Sequence, residues 1–117
     1  MKSKADEALF QLEHNLSSEV LNEVEVYLRK DTRAVEPLIQ ALQVPLSQIA
    51  DPNENMMIRA SAASILGNIS DARSVDPLIS ALQDSYWLTR RYAAQSLGKL
   101  RDERAVLPLI QALHSLQ

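Results

Sequence analysis

A chain of 117 residues is sized for one domain. Its net charge of −3 supplies no basic stripe for a nucleic acid, and the absence of cysteine excludes disulfides, thiolate metal sites and thiol nucleophiles. The opening residues hold no apolar run and no stretch is long enough to span a bilayer, so neither a secretory signal nor a membrane anchor is expected, and a cytoplasmic protein is. Taken from the N-terminus, residues 4–16 place Ala8, Leu9, Leu12 and Leu16 at helical spacing and predict a leading helix. Residues 18–30 place Val20, Val24 and Leu28 at i, i+4 and i+8 and predict a second.

A phrase then begins that is written three times. Residues 31–42, 71–82 and 102–113 share the template Asp-x-Arg-small-Val-x-Pro-Leu-Ile-x-Ala-Leu. The second and third copies are 31 residues apart and the first two are 40 apart. A second phrase precedes the later copies: residues 59–69 and 90–100 share Arg-x-x-Ala-Ala-x-x-Leu-Gly-x-Ile/Leu, again 31 apart. Self-similarity at a fixed period of this length marks a repeat array whose units stack to bury a shared core. Each unit is a segment A followed by a segment B, and both read as helices. Ala62, Ile65, Leu66 and Ile69 form one helical stripe in A, and Val75, Leu78, Ile79 and Leu82 form another in B. Gly67 and Gly98 close the A stripes, where glycine serves either a left-handed residue or a tight helix crossing. Asp71 is a good N-cap for B. Pro77 lies six residues beyond it, so either the first turn is short and kinked or the helix restarts at the proline.

The first unit lacks the Ala-Ala and Leu-Gly pairs of the others, which fits an N-terminal capping unit. The nine extra residues between the first two units lie at 44–57, where Pro45 and Asp51-Pro52-Asn53 are loop chemistry. Insertions in solenoids often sit where binding happens, and tolerated neutral insertions look the same. The expected organisation is one domain, 1–117: a leading helix and first unit over 1–43, an inserted loop over 44–57, a second unit over 58–83 and a third over 84–117.

These two phrases together resemble the HEAT-like repeat of the phycobilisome lyase type, over roughly residues 31–42 and 59–113. The resemblance implies an all-α fold, a right-handed α-solenoid of about three helix pairs behind an N-terminal capping helix region, with the B helices on the concave face. Some proteins with such repeats are subunits of lyases that attach bilins to phycobiliproteins, others bind phycobiliproteins, and many are adaptors. A bilin would need Asp or Arg for its pyrrole nitrogens and propionates. Asp76, Arg90 and Arg91 are the candidates.

No catalytic constellation stands out. The two histidines, His14 and His114, lie at opposite ends of the array, and no glycine-rich phosphate loop or Gly-x-Ser-x-Gly elbow occurs. No metal site and no cofactor are expected, save a bilin under the lyase reading. Asp31, Asp71 and Asp102 read as caps bonded to Arg33, Arg73 and Arg104 or to the next unit. Arg59 and Arg90 open the A helices and read as bridges between units.

The functional weight falls on the x positions of the B segments. Glu36, Gln40 and Gln43, then Asp76, Ser80 and Gln83, then Leu107, Gln111 and His114 lie opposite the apolar stripe. They form a polar, mildly acidic lattice that suits a protein partner better than a polyanion. Tyr86 and Trp87 beside Arg90 and Arg91 have hot-spot composition, and such aromatics also cover seams between units, the plainer reading. Met56 and Met57 hold a nearby place one unit earlier, where flexible side chains suit an adaptable surface or core filling alike. Leu107, Leu113 and Leu116 leave an apolar edge on the last unit, where self-association or partner docking is expected. The sequence thus points to a non-enzymatic adaptor or assembly factor that binds a protein on its concave face. The alternative is a bilin lyase subunit or chromophore chaperone, and a nucleic-acid-binding solenoid is disfavoured by charge.

Overall fold

Three helices begin where a short polar side chain takes up free N–H groups. In the computed structural model, which describes residues 3–114, Ser3 opens α1 (Lys4–His14) with a capping box. Its hydroxyl accepts from the Asp6 N–H at 3.1 Å, and the Asp6 carboxylate accepts from the Ser3 N–H at 3.3 Å. The Ser17 hydroxyl caps α2 (Ser18–Val24), which continues as a 3-10 turn over Glu25–Tyr27. Asp51 caps α4 (Pro52–Ile69) by accepting from Asn53 and Glu54, with proline at the first helical position, where the missing N–H costs nothing.

The B units share one device. Asp31, Asp71 and Asp102 each accept from the backbone N–H two residues on, at 3.1, 2.9 and 2.8 Å. A 3-10 turn follows (Thr32–Ala34, Ala72–Ser74, Glu103–Ala105), and the α-helix proper starts at the valine. This gives α3 (Val35–Leu42), α5 (Val75–Ala81) and α7 (Val106–His114). Pro37, Pro77 and Pro108 therefore sit in the first α-helical turn, where the N–H has no intrahelical carbonyl to lose. The short, tightened first turn is the alternative the chain adopts.

The residue before each capping aspartate is left-handed: Lys30 at φ 60°, Ser70 at φ 60° and Arg101 at φ 53°. The turn between A and B thus falls on three non-glycine residues, and Gly67 has another use. It lies within α4 at the crossing with α6 (Trp87–Leu100), where a Cβ would come within 2.8 Å of the Ser96 Cα. Glycine here is the tight crossing, not the left-handed residue. The Ser96 hydroxyl exploits that closeness by donating to the Ala63 carbonyl at 2.6 Å. At Gly98, one unit later, a Cβ would meet nothing within 4 Å.

Helices α2, α4 and α6 form one row and α3, α5 and α7 the other, an α-solenoid of helix pairs with no strand among the described residues. The body measures 50 × 31 × 18 Å. Helix α4 is its axis, packed against α2, α3 and α6, while α6 also packs on α5 and α1 covers the first unit. Leu21, Leu28, Leu38, Ile58, Leu66, Leu78 and Leu97 are fully buried between the rows. Burying such a side chain is worth about 1.5–3 kcal/mol, so this chain of leucines and isoleucines carries the fold.

The inserted loop is shorter than 44–57. Because Asp51 caps α4 and Pro52 starts it, residues 52–57 are helical and only residues up to Asp51 form the loop. A buried asparagine fastens that loop: Asn55 Nδ2 donates to the carbonyls of Val44 and Ile49, both at 3.2 Å. Its Oδ1 accepts from Arg59.

Candidate protein-interaction surfaces

All nine B-segment lattice residues are solvent-exposed: Glu36, Gln40 and Gln43 on and after α3, Asp76, Ser80 and Gln83 on and after α5, Leu107, Gln111 and His114 on α7. They differ in how free their heads are. The capping aspartates hold the following arginines in forked contact, and each arginine then reaches back to the preceding element. Arg33 meets Asp6 at 2.9 Å, Arg73 meets Glu36 at 3.5 Å and Arg104 meets Asp76 at 3.6 Å. Glu36 and Asp76 are therefore rungs of an inter-unit ion ladder. Gln40, Ser80 and Gln111 make no side-chain hydrogen bond among the described residues.

The ladder tunes its carboxyls. The side-chain hydrogen bond from Arg73 holds the Asp71 carboxyl below the ordinary 3.8, with the Arg73 backbone N–H adding to it. Arg33 does the same for Asp31, and Arg104 for Asp102. The capping reading of the three aspartates accounts for these contacts, and all three arginines are spent on them.

Between the C-terminal ends of α3 and α5 lies a depression of about 360 Å³. Gln43, Ser80, Val44 and Leu46 line it, so two residues of the inserted loop stand beside two lattice positions. Asn55, Arg59 and Asp84 line it too and form a polar cluster. Arg59 grips Asp84 with Nε at 2.9 Å and Nη2 at 3.1 Å, and Asp84 also accepts from the Tyr86 N–H at 2.9 Å. Arg59 thus bridges units from mid-α4 instead of opening its helix. Sequence reading missed Asn55 and Leu46, because their roles depend on a loop folding back on a helix and no repeat of the phrase marks them.

Arg90 behaves differently from its equivalent Arg59. Its Nη1 donates to the carbonyls of Asp84 and Ser85 at 2.8 and 3.2 Å, within its own unit, so it forms no bridge and has no carboxylate partner among the described residues. Arg91 is exposed. The two aromatics part company. Tyr86 is half-buried and its hydroxyl donates to the Met57 Sδ at 3.8 Å, at the seam between units. Trp87, the first residue of α6, is 56% exposed and meets the Tyr86 ring edge to face at 6.1 Å.

Trp87, Arg90, Arg91 and Ala94 of α6 face Leu109 and Leu113 of α7 across an open, mostly apolar groove of about 590 Å³. Val106, Leu107, Ile110 and Leu113 are exposed, and α7 has no buried residue. Leu116 lies outside the described residues. Asp76 does not line this groove, so the three residues expected to serve a bilin are not gathered together. His14 stacks on Phe10 and its Nδ1 is 2.9 Å from the Phe10 carbonyl, while His114 stands on α7. No group of three metal-ligating side chains occurs among the described residues.

The order of these elements decides the family: a model for HEAT repeats matches residues 35–116, from the first residue of α3 past the end of α7. The chain belongs to the HEAT-repeat family. HEAT repeats generally serve as scaffolds for protein–protein interaction. The match is to HEAT repeats as a class and does not separate the phycobilisome lyase type from the rest. No curated protein matches the chain. No described helix of this HEAT array is long and apolar enough to cross a membrane.

Proposed function

We propose that this chain is a non-enzymatic protein-interaction module, an adaptor or assembly factor, that holds a protein partner along its B-helix face. The observation that carries the reading is the lattice. Nine exposed side chains recur in register on three successive B segments, above stripes that the first two units bury. Repeat arrays use such extended faces for recognition. Gln40, Ser80 and Gln111 are among the polar heads that the ion ladder leaves unoccupied, and Leu46 is exposed at the depression between α3 and α5.

Handling of a bilin is the second reading. It is favoured by one feature, the placing of Arg90, Arg91 and Trp87 around an apolar groove, which suits a flat molecule with carboxylate arms. Affinity capture from the source cell with the tagged chain as bait tests both. A colourless protein partner retained reproducibly supports the adaptor reading. An eluate with a visible absorbance band from bilin moves the chain to chromophore assembly. Absence of any retained protein overturns the adaptor reading.

A further inference from the structure

The inserted loop builds a pocket that the repeat alone does not. Its turn is closed by the Gln48 and Ile49 N–H groups, which donate to the Pro45 carbonyl at 3.0 and 3.1 Å, and Asn55 ties Val44 and Ile49 to α4. Leu46, inside that turn, is held 57% exposed at the rim of the depression between α3 and α5. Leu42, Val44 and Ala81 give the depression an apolar floor, and the Arg59–Asp84 pair stands in its wall. An arginine has five N–H donors in a fixed fork. Arg59 commits Nε–H and an Nη2–H to Asp84 and an Nη1–H to Asn55. Its other two N–H groups have no acceptor among the described residues. Arg59 and Asp84 cancel each other's charge, and their side chains are only 14% and 12% exposed. A further carboxylate in so dry a wall would add an uncompensated charge, so the open donors suit a neutral oxygen.

We propose that this depression takes one apolar side chain and the adjoining backbone carbonyl of an extended, uncharged segment of a protein partner. The carbonyl accepts from the two open N–H groups of Arg59. The apolar side chain lies on Leu42 and against Leu46. Gln43 and Ser80, whose side chains make no hydrogen bond among the described residues, pair with the next peptide unit. One turn of α-helix, about 10–12 Å across and about 5.4 Å long, fills about 400–600 Å³. The depression holds about 360 Å³, so extended chain enters it and a helix does not. A second copy has no such segment to give among the described residues. Its connections are short turns, and the longest, 43–51, is the one that builds the pocket. Units stacked beyond either end of the array would not fill it either, because a unit touches only its neighbours and the two that frame this pocket are adjacent already. This inference rests on the interaction-module reading and adds to it a pocket and the chemistry of the segment it takes.

The probe is a library of fluorescent heptapeptides, acetylated and amidated, with Leu, Met or Phe at the centre and Gly, Ser, Thr, Asn, Gln, Lys or Glu elsewhere, panned against the full chain. Recovery of uncharged peptides that bind saturably and without helical circular dichroism is expected. Leu46→Asp alters an exposed turn residue and leaves the core untouched. Arg59→Lys keeps a cation beside Asp84 and removes the fork. Each is expected to weaken binding at least about tenfold. Recovery of no peptide, a pool selected for charge or helicity, or binding indifferent to both substitutions overturns the proposal. A wild-type chain that is dimeric and made monomeric by Leu46→Asp assigns the depression to a second copy and overturns it as well. A chain that captures a protein and binds no peptide loses the pocket and keeps the B-face reading. A chain that captures no protein loses that reading by itself.

Discussion

Ser74 and Thr89 bury hydroxyls that have no hydrogen-bond partner among the described residues, and the other units show what those positions accept. Ala34 and Ala105 stand where Ser74 does, and Ile58 stands where Thr89 does, all buried. Removing an unsatisfied buried hydroxyl recovers its desolvation penalty, so Ser74→Ala is expected to raise stability by about 1 kcal/mol. A urea titration checks this, and a loss of stability would mean that the hydroxyl is bonded. The capping aspartates make the opposite case. Arg73 holds the Asp71 carboxyl below 3.8 in the folded chain. As pH falls, the unfolded chain therefore takes up that proton first, and the stability from Asp71 is complete above its unfolded value and lost as pH drops through the folded one. Thermal midpoints from about pH 7 down to about pH 3 are expected to fall less steeply for Asp71→Asn than for wild type. Equal slopes would show that the ladder carries no pH-dependent stability. The recurrence of Asp and Arg made this pairing legible in the sequence. The left-handed residues Lys30, Ser70 and Arg101 were not, because three different side chains occupy one backbone conformation that usually selects glycine.

At the level of helices, two glycines at equivalent repeat positions have opposite surroundings. A methyl at Gly67 strikes the backbone of Ser96, so Gly67→Ala is expected to cost about 1–3 kcal/mol through overpacking. Gly98→Ala, in open space within a helix, is expected to stabilise by about 0.5–1 kcal/mol. Chemical denaturation of the pair checks the crossing, and equal effects would remove it. The stripes divide in the same way. Leu78→Ala and Leu97→Ala are expected to cost about 2–5 kcal/mol each, since both are fully buried. Ile110→Ala is expected to cost less than about 1 kcal/mol, being 45% exposed. Helix positions, the order of A and B and the apolar stripes could all be read from periodicity. The extent of the inserted loop could not, because Pro52 looks like loop chemistry until Asp51 is seen to make it the first helical residue.

Across the whole molecule, the repeat determines the architecture, and the departures from the repeat determine the surfaces. Three copies of one phrase stack α3, α5 and α7 beside α2, α4 and α6, and the match to HEAT repeats runs from the start of α3 past the end of α7. Exposed positions vary between copies, Gln40, Ser80 and Gln111 among them, and that is where recognition of a particular protein has room to reside. The most direct measurement is capture of the protein partner by two folded baits: wild type and the triple variant Gln40→Arg, Ser80→Arg, Gln111→Arg. The account predicts that wild type retains the partner and that the triple variant loses it. Retention by the triple variant equal to that of wild type would contradict the central claim that the B-helix face is what holds the partner.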